Sequence, residues 1–118
     1  MTENLCLLFR SQEIVYIEDK GIRLFAEVIQ TIPDRNRCWV KPLALAKYID
    51  FQFRLLHDLQ ECAQLILPVS LFRSALDTEV IPVMMDLFQL EKIPDQSSIG
   101  TSIDRQALHH FISNLSSE

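Results

Sequence analysis

Three groups of residues in this sequence have the types that do chemistry. The first is His57-Asp58 with Cys62 close behind, the parts of a thiol activated by an imidazole that a carboxylate orients. Such a relay needs the imidazole and the carboxylate side by side, whereas neighbouring residues of a strand point to opposite faces. Phe51, Phe53, Leu55, His57 and Leu59 alternate with Gln52, Arg54, Leu56 and Asp58, which predicts a half-buried strand in which Asp58 cannot orient His57. His57 then reads as a core or edge histidine. The second group, His109-His110, lacks the i, i+4 spacing of helical zinc ligands and suits the negative end of a helix dipole. The third is the run of bases Arg35, Arg37, Lys41, Lys47 and Arg54 interleaved with Trp39, Tyr48 and Phe51, the composition by which single-strand binders stack bases.

Charge weighs against that third use. Residues 1–76 carry nine bases and nine acids, so the bases share a mixed-charge surface. Residues 77–118 hold Lys92 and Arg105 against seven acids and carry the whole net charge of -5. An acidic surface of this kind repels phosphate backbones and anionic lipid. Nucleic acid is therefore a minor alternative, and a membrane is not expected.

Glycine decides more than any motif. With only Gly21 and Gly100 in 118 residues, the phosphate-cradling loops that need close backbone approach are ruled out. Cys6, Cys38 and Cys62 form neither a CxxC pair nor a Cys/His cluster, so reduced, mostly buried thiols are expected, with no metal and no cofactor. With 48% hydrophobic and 23% charged residues, one domain spanning 1–118 can bury its own core. The opening residues lack a basic n-region, and Leu5 to Phe9 is too short for a signal or a span, so a soluble cytoplasmic protein is expected.

The positioning elements follow from periodicity. Strands are predicted at Leu5 to Phe9, Glu13 to Glu18, Ile22 to Thr31, Arg37 to Leu45 and Phe51 to Leu59, with Ala63 to Leu67 as antiparallel neighbour of the last. Asp19-Lys20-Gly21 and Pro33-Asp34-Arg35-Asn36 supply turns. Residues 1–68 thus form a β-rich part and 69–90 a helical part, with helices near 70–76, capped by Ser70, and 79–90, whose start Pro82 limits. Met84-Met85 is expected as core filler in preference to a groove lining. Residues 91–102 read as a loop or tether. Ser102 then caps a last helix, 103–115, whose Leu108, Phe111, Ile112 and Leu115 stripe is expected to dock on the sheet of its own chain. The fold class is α+β, a curved antiparallel sheet of about five or six short strands, barrel-like at its most curved, followed by C-terminal helices.

If Ile32 pairs with Arg37, Trp39 lies opposite Gln30 and shares a face with Ile22, Leu24, Ala26 and Val28, while Phe25, Ile29, Cys38 and Val40 line the other. Both faces are then apolar, and one is left for a cover or a partner. Arg37, Trp39, Val40, Lys41 and Leu43 are the expected partner-binding residues, with Trp39 the anchor.

The stretches RCWVKPLAL at 37–45 and LILPVSLFRSALDTEVIPVM at 65–84 resemble a family of small conserved proteins of cyanobacteria. That resemblance implies accessory work around photosynthetic or carbon-fixing machinery, such as carboxysome or photosystem assembly, and brings no catalytic motif. The expected function is a non-enzymatic adaptor or assembly factor that docks a short segment of a partner protein on a sheet edge or apolar groove, a homodimer being compatible with it. A small enzyme or ligand carrier with a sheet-helix pocket is the first alternative and a weak RNA binder the second.

Overall fold

Residues rich in β-branched and aromatic side chains open the described part of the chain, and they form a meander. The computed structural model describes residues 9–91 and 101–116. Strand β1, Ile14–Asp19, turns through Lys20 and Gly21, both at positive φ, into β2, Ile22–Ile32. A short 3-10 turn at Pro33–Arg35 ends on left-handed Asn36 and leads to β3, Arg37–Ile49. Asp50 and Phe51, again both left-handed, reverse the chain into β4, Gln52–Asp58. Paired positive φ values are what a two-residue hairpin needs to match strand twist.

Strand β5, Leu65–Pro68, and the two-residue β6, Arg73–Ser74, complete a six-stranded antiparallel sheet of order β4-β3-β2-β1-β6, with β5 paired to β3. The sheet is curved and open rather than a closed barrel. Long β3 serves two partners on one side, its first half pairing with β5 and its second with β4. The expected pairing of 63–67 with 51–59 is therefore corrected. Sequence neighbours here lie end to end along β3.

The helix expected at 70–76 is absent. Val69–Leu71 makes one 3-10 turn without a side-chain cap, and Arg73–Ser74 instead extends to pair with β1. Helix α1, Asp77–Glu91, begins earlier than expected. The Leu76 N–H donates to Glu79 Oε1 at 3.1 Å, half of a capping box, and the helix continues through Pro82 beyond its first turn. Helix α2 is Thr101–Ser116, so Ser102 lies inside it rather than capping it. The strand at Leu5 to Phe9, apart from Phe9, and most of the tether, residues 92–100, lie outside the described residues, as does Cys6.

Each helix covers one face. Leu108 and Phe111 of α2, both 6% exposed, close a core with Val15, Leu24, Val28 and Val40, the cis docking expected for this stripe. Val83 and Leu87 of α1 close a second core with Phe25, Ala44 and Phe53. The register Ile32 to Arg37 and Gln30 to Trp39 is as expected, but Val28 pairs with Val40 because the ladder slips between Val28 and Gln30. That bulge places Cys38 and Val40 in the same core as Leu24, Ala26 and Val28, where the unbulged ladder puts them on opposite faces.

Candidate functional site

The five residues singled out on β3 divide by burial. Val40 is fully buried and Leu43 is 8% exposed, so both belong to the two cores and offer a partner nothing in the folded state. Arg37 is exposed, and Trp39 and Lys41 are half-buried on the face that α1 covers only farther along. There Trp39 pairs with Ile66 of β5, which is 57% exposed, and the indole N–H donates to Gln64 Oε1 at 3.0 Å. Lys41 stands opposite Glu27, and Arg37 opposite Pro68. The outer side of β5 pairs with no strand among the described residues. The result is a short open edge beside an aromatic-aliphatic pair, flanked by two bases.

Arg54 and Lys47 do not join this patch. Arg54 Nε and Nη2 donate to the two oxygens of Asp86 at 2.9 Å, and the Leu55 N–H adds a third bond to the same carboxylate at 3.1 Å. Hydrogen bonding to Arg54 first, and then to Leu55, holds the Asp86 carboxyl below its usual range despite its burial. Helix α1 thereby caps the β4 edge. Lys47 and Tyr48, at the far end of β3, are neighbours in the strand and face opposite ways.

Arg23 of β2 sits where α1 meets the sheet. Its guanidinium carbon lies 3.8 Å from the Tyr16 ring centre and 4.3 Å from that of Phe53. Nε donates to Glu18 at 2.7 Å, and Nη1 comes within 3.0 Å of Glu79 Oε2, an ion pair whose angle falls outside hydrogen-bond geometry. Burial opposes this charge, yet Glu18 and Glu79 outweigh it and raise the pKa. A cation between two rings and two carboxylates rivets α1 to the sheet. No local sequence signal marks it.

His57 does find a carboxylate, across the fold. Its Nδ1 lies 3.0 Å from Asp104 Oδ1 on α2, and it lines a cavity of about 280 Å³ with Lys20, Leu45, His110 and Phe111. Cys62 belongs to a second recess, of about 470 Å³, with Arg105 and His109. Burial first, then Asp104, pushes its thiol pKa up, and burial does the same to Cys38. Both stay protonated at neutral pH, which is the inert state. Among the described residues no cluster of three or more His, Cys, Asp or Glu is placed to hold a metal, and no helix is long and apolar enough to cross a membrane.

Met84 and Met85 correct another expectation. They are 42% and 55% exposed, and with Ile81 at 57% and Phe88 at 61% they form a second apolar stripe on α1 outside the core. The core-filler reading fails because α1 is apolar on two flanks, and Val80, Val83 and Leu87 take the inward one.

No family model matches the chain. No curated protein matches it either. Among solved structures it is similar to the crystal structure of kinase-associated protein B from Bacillus cereus, at 18% identity and a TM-score of 0.37, covering 92% of this chain and 98% of that one. A likeness at that level carries no argument.

Proposed function

We propose that this protein is a non-enzymatic adaptor or assembly factor that takes a short extended segment of a partner protein along the open edge of β5. The observation that carries the reading is the four-residue β5 edge beside Trp39 and the 57% exposed Ile66, with Arg37 and Lys41 alongside. An added strand gains affinity from main-chain hydrogen bonds, and the side chains facing Trp39 supply specificity. Two bases at the rim favour a segment with acidic residues and steer its approach. The resemblance of 37–45 and 65–84 to the cyanobacterial family directs the search for that partner to carboxysome and photosynthetic-complex assembly.

The test compares two immobilised proteins in affinity capture from the native organism. Lys41 faces Glu27, so reversing its charge would set two acids side by side; Arg37→Glu with Lys41→Gln avoids that repulsion. The expected outcome is a partner captured by the wild type and lost by the variant at unchanged melting temperature. Equal capture by both proteins would move the recognition surface elsewhere.

A second reading, a ligand carrier or small enzyme, draws on the cavity lined by His57 with its Asp104 partner. It requires His57→Ala to abolish a measurable ligand-induced shift while leaving partner capture intact.

A further inference from the structure

The two edges of β5 hold different backbone groups, and the pairing register says which. Arg37 pairs with Pro68, Cys38 with Leu67, Trp39 with Ile66 and Val40 with Leu65. In an antiparallel ladder, pairs that exchange hydrogen bonds alternate with pairs that do not. Two observations fix the phase. The Val69 N–H donates to the Asn36 carbonyl at 2.9 Å, and Pro68 has no N–H with which to answer Arg37. Leu65 and Leu67 therefore spend their N–H and C=O groups on β3, while Ile66 turns both of its own to the open edge. Pro68 adds a carbonyl alone. Among the described residues none of these three groups meets a partner.

Resting on the docking reading above, we infer that the incoming segment adds antiparallel to β5, with one apolar residue paired directly to Ile66 and an acid two positions to either side of it. The backbone sets the first part. A residue opposite Ile66 exchanges two hydrogen bonds with it, and Pro68 cannot return the next one, so the contact is centred on that pair. Every ladder of the sheet is antiparallel, and antiparallel pairing is the stronger per residue. Side chains set the second part. The residue opposite Ile66 shares the face of Trp39 and of Ile66, which is 57% exposed, so an apolar side chain there takes water off both. Residues two before and two after it fall on the same face, in the rows of Arg37 and Lys41 and about 10 Å from them across β5, a gap that an extended base and a glutamate close from both sides. Neither base has an ion pair among the described residues, and Glu27, the acid opposite Lys41, stands on the β2 side, away from the open edge. A second copy fits less well: pairing Ile66 with its own counterpart brings Gln64 and Pro68 to the two flanking positions and adds two more bases to one face.

The probe is the capped heptapeptide Thr-Glu-Thr-Val-Thr-Glu-Thr, titrated to millimolar concentration into the full chain and followed by NMR at the Ile66 amide and the Trp39 indole N–H. Saturable shifts at both are expected, with a dissociation constant of roughly 0.1–1 mM. N-methylation of the central valine removes the N–H that meets the Ile66 carbonyl and should weaken binding at least about 10-fold. The same methyl on the threonine that follows, whose N–H faces away from β5, should change affinity by less than about 2-fold. Replacing both glutamates by glutamine should weaken binding about 3-fold or more at low salt. On the protein side, Ile66→Pro removes the outward N–H without breaking a bond to β3, so it should abolish the shifts while the Leu65 and Leu67 amides keep their protection from exchange. Loss of binding at the methylated threonine in place of the valine is the parallel register and would overturn the inference, as would a peptide that shifts nothing at millimolar concentration or is indifferent to both methyl positions. Partner capture that still depends on Arg37 and Lys41 beside such a result leaves the docking edge standing without this register, whereas equal capture by wild type and variant removes both.

Discussion

The two helices differ in how they spend their apolar residues. Helix α2 carries one apolar stripe and buries it, Leu108 and Phe111 each retaining 6% exposure, and His57 latches it through Asp104. Helix α1 carries two, burying Val83 and Leu87 while Ile81 and Met85 stay more than half exposed. It is held by charges that the sheet supplies, Arg23 and Arg54. A helix that only covers a core needs one stripe; Ile81 and Met85 add apolar surface that the second core does not take up.

The sharpest way to break this contrast is to truncate one residue from each helix. Phe111→Ala should cost about 3–5 kcal/mol in denaturant unfolding, whereas Met85→Ala should stay within about 0.5 kcal/mol. Similar losses at both sites would erase the distinction. Next in size is Arg23→Ala, which leaves Glu18 and Glu79 without their cation and opens space between Tyr16 and Phe53. A loss of about 2–3 kcal/mol is expected, with amide exchange rising in α1 before α2.

A smaller effect of opposite sign is expected at the β3-β4 turn. Phe51 is 91% exposed at φ 69°, a left-handed conformation that costs a bulky residue about 1–2 kcal/mol. Phe51→Gly should therefore stabilise the fold by roughly 1 kcal/mol, part of the relief being offset by unfolded-chain entropy. The subtlest test is pH-dependent. The Asp86 carboxyl is depressed by Arg54 in the folded state, so its contribution is present above the unfolded carboxylate pKa and is lost as pH falls through the folded value. Asp86→Asn should be less stable than wild type at pH 7, and the gap should narrow steadily in acid.

Much of this was legible in the residues. The runs around Val15 and Val28 gave the first two described strands nearly to their ends, the third runs on past the expected Leu45 to Ile49, and Pro33 to Asn36 set the β2-β3 register at the turn. The faces were misread because the ladder slips between Val28 and Gln30 and slips back between Phe25 and Ala26, so the pairing is inverted between the two irregularities and restored beyond them; no composition signal marks such slips. Pairing of β5 with β3 was hidden for a related reason, since nearness along the chain favours β4 while the ladder along β3 decides. His57 found Asp104 rather than Asp58, a partner 47 positions away that only the docking of α2 brings near. Met84 and Met85 were ambiguous in principle, because a helix apolar on two flanks does not declare which one turns inward. Val40 and Leu43 were grouped with Trp39 on hydrophobicity alone, and burial separates them.

The most direct measurement uses the lone tryptophan. Trp39 is half-buried beside Ile66 and bonded to Gln64, at the centre of the proposed docking edge. Titrating the captured partner while following tryptophan emission, with a partner lacking tryptophan or labelled to be silent, should give a saturable shift to shorter wavelength as the indole loses water. The Arg37→Glu, Lys41→Gln variant should require much more partner to reach it. Tight binding that leaves Trp39 emission unchanged, with the same affinity in wild type and variant, would contradict the account.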